Sequence, residues 1–191
     1  MTNIEKSVAA DIPEILGILN ASKGENLTAK QREEEGVAQG LMDEAMLEKC
    51  QAGSGVFVSR EAGERGQCIA GVAMTSPGGL AKHGVALKAF QTVLESGKTT
   101  AEKIFLHGPV SVKREFRGQG ILTQLLLQIC RELRAEFCLG AAFVDKENHK
   151  SLQIHRHYPM EEAGEFELNG RQYVIFTFEP RRVLAFYSHP A

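Results

Sequence analysis

The residues with the clearest chemical potential are Gly118 and Gly120, in the run Lys113-Arg-Glu-Phe116-Arg117-Gly118-Gln119-Gly120-Ile121. Two glycines one residue apart let a backbone approach a ligand with no Cβ in the way. The apolar positions that follow, Leu122, Leu125, Leu126, Ile129 and Leu133, recur at helical spacing. A helix therefore starts at the glycines. Its first N–H groups lack intrahelical partners and its dipole favours an anion. Lys113, Arg114 and Arg117 add positive charge at the same end. The chemistry this implies is phosphate binding. A nucleotide-hydrolysing loop needs Lys-Ser/Thr after the last glycine, where this chain has Ile121-Leu122. A dinucleotide fingerprint needs a third Gly or Ala where Thr123 stands. Both readings weaken, and a generic nucleotide-binding α/β protein remains as one alternative.

The element that must position this turn is the apolar run Ile104 to Val112, which reads as a strand buried on both faces. Strand, Phe116-Arg117-Gly118-Gln119-Gly120 and helix, in that order, resemble the acetyl-CoA signature of the general N-acetyltransferase (GNAT) superfamily. Glu115 stands where that family often has Gln or Arg. The resemblance extends over nearly the whole chain. It implies a mixed α/β (α+β) fold in one domain, residues 1–191, with a helical insertion at about 77–103. The sheet of that fold has seven mostly antiparallel strands flanked by helices, with a parallel, splayed pair formed by strands four and five.

The resemblance also implies a function: transfer of the acetyl group of acetyl-CoA to a primary amine of a small molecule or peptide. Arg117, Gly118, Gln119, Gly120, Ile121, Leu122 and Thr123 would hold the pyrophosphate. Val110, Ser111 and Val112 would offer free backbone groups to the pantetheine arm, the Val112 N–H polarising the thioester oxygen. Gly108-Pro109 suits a disturbed strand here, because proline removes a ladder donor. Asn148 and Ser151 match the Asn and the small residue that open the family's last helix. Where relatives place a Tyr that reaches the sulfur, seven residues after the Asn, this chain has His155. His155 is therefore the expected donor to the departing thiolate, with Tyr158 as an alternative. Relatives often carry a catalytic Glu four residues before the strand's terminal Val; here that position is Gly108. His107 is adjacent, on the opposite face, and is one candidate base; a relayed water is another. A CoA-binding regulatory module without catalysis is the competing reading, supported by the missing Glu and Tyr.

The rest of the chain sets bounds. With 191 residues and 43% hydrophobic content, it is long and apolar enough for one globular domain. A net charge of -2 gives no general attraction to nucleic acid. No run approaches a membrane span, and the N-terminal stretch has no apolar core of a signal peptide. Cys50, Cys68, Cys130 and Cys138 form no CxxC and read as reduced core residues of a cytoplasmic protein. His149, His155 and His157 do not share one helix face, so no metal site is expected.

Further elements follow from periodicity. Ile4 to Val8 reads as a strand, with Asp11 capping a helix that carries Ile12, Ile15, Leu16 and Leu19 on one face. Thr28 to Cys50 reads as one or two helices broken near Gly36 and Gly40. Glu33-Glu34-Glu35 reads as a solvated helix face, ahead of an amine site. Gly55–Arg60 with Gln67–Thr75, and Gly164–Leu168 with Arg171–Phe178, read as hairpins, the second around Asn169-Gly170. Between them, Phe137–Val144 reads as a strand parallel to Ile104–Val112, and Asn148–His157 as a helix. The insertion carries a helix at about Val85–Leu94 and reads as a cover over the acceptor site or a homodimer surface. Arg181–Ala191 fits no element.

Overall fold

The computed structural model describes residues 3–22, 43–63 and 66–188. Seven strands, β1 (Asn3–Lys6), β2 (Val56–Gly63), β3 (Gly66–Pro77), β4 (Ile104–Val112), β5 (Leu139–Asp145), β6 (Glu161–Leu168) and β7 (Arg171–Phe178), form one sheet in the order β1-β2-β3-β4-β5-β7-β6. All neighbours pair antiparallel except β4 and β5, which are parallel. That exception follows from the connection between them, a helix that returns the chain to the same end of the sheet.

The helices are α1 (Ile12–Ala21), α2 (Glu44–Ala52), α3 (Gly84–Glu95), α4 (Ile121–Leu133), α5 (His149–His157) and α6 (Pro180–Ser188). Alternation along the strands sorts them into two layers. Met74 and Leu106 lie on one face, where α1, α2 and α3 pack through Ile15, Leu19, Leu47, Phe90 and Val93. Ala73 and Phe105 lie on the other, under α4 and α6. Ala142 and Phe176 extend that second face beneath Leu152 of α5. Leu125 and Ile129 of α4 are fully buried. Each such side chain stabilises the fold by about 1.5–3 kcal/mol relative to exposure.

Most of the expected elements appear, with longer hairpin strands. Several details differ. Asp11 precedes α1 but does not cap it by a side-chain bond. Its carboxylate instead accepts from the Val8 N–H, and its two oxygens share one guanidinium nitrogen of Arg60, Nη2, at 3.0 and 2.9 Å. Part of the C-terminal stretch that fitted no element does form one: residues 180–188 are α6, and Val183 of that helix is fully buried against α4. The cysteines do not all lie in the core, since Cys138 is exposed and Cys68 half-buried; all four are unpaired. The insertion's α3 presses Ala89, Phe90 and Val93 onto β4, β5 and the β6–β7 hairpin. Most of the expected helix pair between Thr28 and Cys50, with Glu33-Glu34-Glu35, lies outside the described residues; α2 is its C-terminal end.

Candidate active site

The central opening arises because β4 and β5 pair over only three residues. Ile104, Phe105 and Leu106 face Leu139, Gly140 and Ala141, and no pairing continues beyond them. β3 holds β4 all the way to Val112, so β4 follows β3 and leaves β5. A bulge sits at the parting. Ala73 pairs with Val110 and Thr75 with His107, so Gly108 and Pro109 together oppose Met74 alone. Gly108 has φ +119°, a backbone conformation that side-chain-bearing residues avoid. The Gly-Pro pair thus bends the strand where its sequence suggested a disturbance.

The gap between the strands is a cavity of about 580 Å³. One end is the turn between β4 and α4. Gly118 and Gly120 have φ +77° and +74°, and Gly120 is the N-cap of α4 with no side-chain cap bond. A Cβ at Gly118 would meet nothing within 4 Å, so the turn presents open backbone. The Arg117 Nε–H donates to the Val112 carbonyl at 3.0 Å and pins the turn to the strand. Lys113 is tied to Glu14 of α1 at 2.8 Å.

Of the sequence-predicted residues, Val110, Ser111, Val112, Arg117, Gly118, Gly120, Ile121, Leu122 and Thr123 line this one cavity, as do Asn148, Ser151, His155, Tyr158 and His107. Gln119 is exposed and does not line it. Leu122, expected on the core face, is half-buried and turns to the cavity, while Ile121 takes the core position. The rest of the wall opposite β4 was missed. It comprises Phe143 and Asp145 of β5, Lys150 and Ile154 of α5, and Met160. The signal was available: a strand that splays from β4 must expose its own C-terminal half. Ser22 closes the α1 side, its hydroxyl 2.6 Å from that of Ser111.

The polar groups of α5 are ordered by local bonds. Asn148 caps the helix, its Oδ1 accepting from the Ser151 N–H at 3.0 Å. The His155 Nδ1 lies 2.7 Å from the Ser151 carbonyl. A carbonyl only accepts, so Nδ1 carries the proton and Nε2 holds the lone pair. Burial pushes the His155 pKa below the usual imidazole value, an effect partly offset by that bond. His155 therefore rests neutral, not as the imidazolium expected of a ready proton donor. His149 and His157 are exposed and point away from it. Among the described residues no three His, Cys, Asp or Glu are grouped to hold a metal.

Tyr158 places its hydroxyl 3.3 Å from that of Thr123, bridging the end of α5 to the first turn of α4. Burial raises its phenol pKa, with the Thr123 contact opposing. His107 lies on the α5 face, with its ring edge-on to Phe178 at 5.7 Å. Burial, and secondarily repulsion from His155, bring its pKa down to about 3.

A parallel pair that parts at a bulge, with a Gly-x-Gly helix start at the mouth, sets the terms for comparison. The acetyltransferase (GNAT) family model matches residues 25–158. The chain belongs to the GNAT acetyltransferase family. Solved structures share the fold at low identity. An N-acetyltransferase from Staphylococcus aureus Mu50 is 19% identical, with TM-score 0.62, covering 94% of this chain and 99% of its own. A ribosomal-protein-alanine N-acetyltransferase from Brucella melitensis is 20% identical, with TM-score 0.61 and coverage of 93% and 99%. A GNAT superfamily phosphinothricin acetyltransferase from Sinorhizobium meliloti, in complex with acetyl-CoA, is 19% identical, with TM-score 0.61 and coverage of 93% and 88%. No curated protein sequence matches. No described helix is long and apolar enough to cross a membrane.

Proposed function

We propose that this protein is an N-acetyltransferase that moves the acetyl group of acetyl-CoA to a primary amine of a small molecule or peptide. The observation that carries the reading is the parting of β4 from β5 into a cavity whose mouth is the Gly118–Gly120 turn. The residues suit CoA. Open backbone at the start of α4 and the Arg117 side chain offer donors to a pyrophosphate. The unpaired edge of β4 from Val110 to Val112 offers backbone groups to an amide-bearing arm. Asn148 and Ser151 shape the opposite wall. That a structural neighbour of the GNAT superfamily was solved in complex with acetyl-CoA supports the choice of ligand.

In this reading His155 works in both directions. An ammonium cannot attack a carbonyl until it loses a proton, and a neutral imidazole lone pair at Nε2 can take it. The same nitrogen then returns that proton to the departing sulfur. Tyr158 is the alternative donor. The unpaired cysteines support a reducing, cytoplasmic setting.

One observation favours a second reading, a CoA-binding module without catalysis: Gly108 leaves no carboxylate where relatives place their base. The test has two steps. Acetyl-CoA should raise the unfolding temperature by mass action. Thiol release across a panel of primary amines should then identify an acceptor. Stabilisation without release by any amine selects the module; no stabilisation rejects both.

A further inference from the structure

We propose that His107 is a second catalytic histidine, a neutral imidazole whose Nε2–H donates to the thioester oxygen while His155 accepts at its own Nε2. This rests on the acetyltransferase reading and moves the polarising role that the family resemblance gave to the Val112 N–H to a side chain five residues earlier on β4.

Position comes first. Leu106 is the last residue of β4 that pairs with β5, so His107 is the first to stand at the apex of the gap. It also immediately precedes the bulge, where Pro109 removes a backbone N–H from the strand. A chain threaded between the strands from the Gly118–Gly120 mouth ends at this apex. The two histidines come from different elements but share one floor. Phe176 and Phe178 are two apart on β7 and face the same way. The His155 ring lies 5.0 Å from Phe176, and the His107 ring 5.7 Å from Phe178. Phe178 reaches that far because Gly140 lies beneath it: a Cβ there would run into both the Phe178 and Phe105 rings.

The hydrogen-bond inventory then separates the two rings. The His107 Nδ1 is buried without a partner. The nitrogen that reaches the cavity is therefore Nε2. A neutral ring carries one N–H. Orphaned buried N–H groups are rarer than under-satisfied acceptors, so the proton belongs on Nε2, where a ligand can use it. His155 is the reverse case, its Nδ1–H spent on the Ser151 carbonyl. One cavity thus presents an imidazole donor and an imidazole acceptor. Burial keeps His107 neutral across the physiological range. A neutral imidazole is a competent electrophile toward a carbonyl oxygen.

The step balances. The amine nitrogen bonds to the acetyl carbon, and the carbonyl π pair moves to oxygen. The His107 N–H stabilises that oxygen without giving up its proton. His155 already holds the first proton of the ammonium, and the nitrogen now sheds its second to solvent. The oxygen pair returns, the C–S bond breaks, and the sulfur takes the proton from His155.

The test compares His107→Phe with His107→Gln, whose terminal amide retains a donor at similar reach. Phe should lower kcat by about 100- to 1,000-fold, with KM for acetyl-CoA within a few-fold. Gln should recover at least about tenfold of that loss. Wild-type kcat in folded His107→Phe overturns the proposal, as does equal loss in both variants. A second measurement needs no acceptor: 15N NMR of the wild-type histidines. It should show the Nε2–H tautomer at His107, and acetyl-CoA should shift that resonance. An Nδ1–H tautomer, or no shift in protein that binds acetyl-CoA, overturns the proposal. If no amine is acetylated, the parent reading fails while the NMR result still decides what His107 does.

Discussion

At the scale of single residues, the glycine turn yields the sharpest expectation. Gly118 and Gly120 both sit at positive φ. A β-branched residue in that region is strained by roughly 1–2 kcal/mol, and its side chain would fill the space left for a phosphate. Gly118→Val or Gly120→Val should therefore leave a folded protein with acetyl-CoA affinity reduced at least about tenfold. Calorimetric titration checks this, and unchanged affinity would refute the phosphate assignment. His155→Phe should lower kcat by about ten- to a thousandfold with little change in acetyl-CoA affinity. Wild-type turnover in that variant would move proton transfer to Tyr158 or to water. The turn was legible in the sequence because its information is local: a backbone motif needs only neighbours in the chain. The roles of the histidines were less legible. Alternation along β4 gave the face of His107, but the Ser151 bond that fixes the His155 tautomer depends on helix geometry. Phe143 and Asp145 were legible in the splay of β5 from β4 but not drawn from it, whereas Met160 lies between α5 and β6, where no periodicity gives a direction.

At the scale of elements, the insertion changes its reading most. In sequence its helix is expected at about Val85–Leu94, and the insertion reads as a cover over the acceptor site or a homodimer surface. Neither reading says which surface of the sheet receives the helix. The structure lays α3 over the β4–β5 and β6–β7 half of the sheet, where Phe90 is 8% exposed. The Phe90 ring also occupies the space over Gly78 that a Cβ would need. A helix so used is first a layer of the fold. Phe90→Ala should destabilise by about 3 kcal/mol or more through lost burial and the cavity left behind. Deleting residues 84–95 should expose Ile104, Leu106 and Tyr173 and drive self-association, visible by light scattering. Acetyl-CoA binding per folded molecule should persist, because α3 lines no part of the central cavity. Selective loss of that binding would contradict this division. The last helix, α6, escaped the sequence reading because its nine residues bury only Pro180 and Val183. Too short to stand alone, it is a helix because α4 offers a surface.

At the scale of the whole molecule, the buried titratable groups define a pH window for stability. The His107 pKa falls from the ordinary 6.5 to about 3 in the fold, and that of His155 falls too. The unfolded chain therefore binds protons that the native state refuses. Their contribution is complete above about pH 6.5 and is lost as pH falls toward the folded values. Cys50 and Cys130 act in the opposite direction. Burial raises their thiol pKa values from 9.0 to about 11 and about 12. The unfolded chain loses those protons first, so stability is complete below about pH 9 and falls above it. The expected profile is a plateau between about pH 6.5 and 9 with losses on both sides. Each histidine can contribute a slope of up to about 1.4 kcal/mol per pH unit on the acid side. His107→Gln removes one such proton. Urea unfolding between pH 6.5 and 5, where carboxylates remain ionised, should show the acid slope reduced by up to about that amount. An unchanged slope would mean that the His107 ring takes up its proton in the fold as readily as in the unfolded chain, against the burial that holds it neutral at the apex of the cleft.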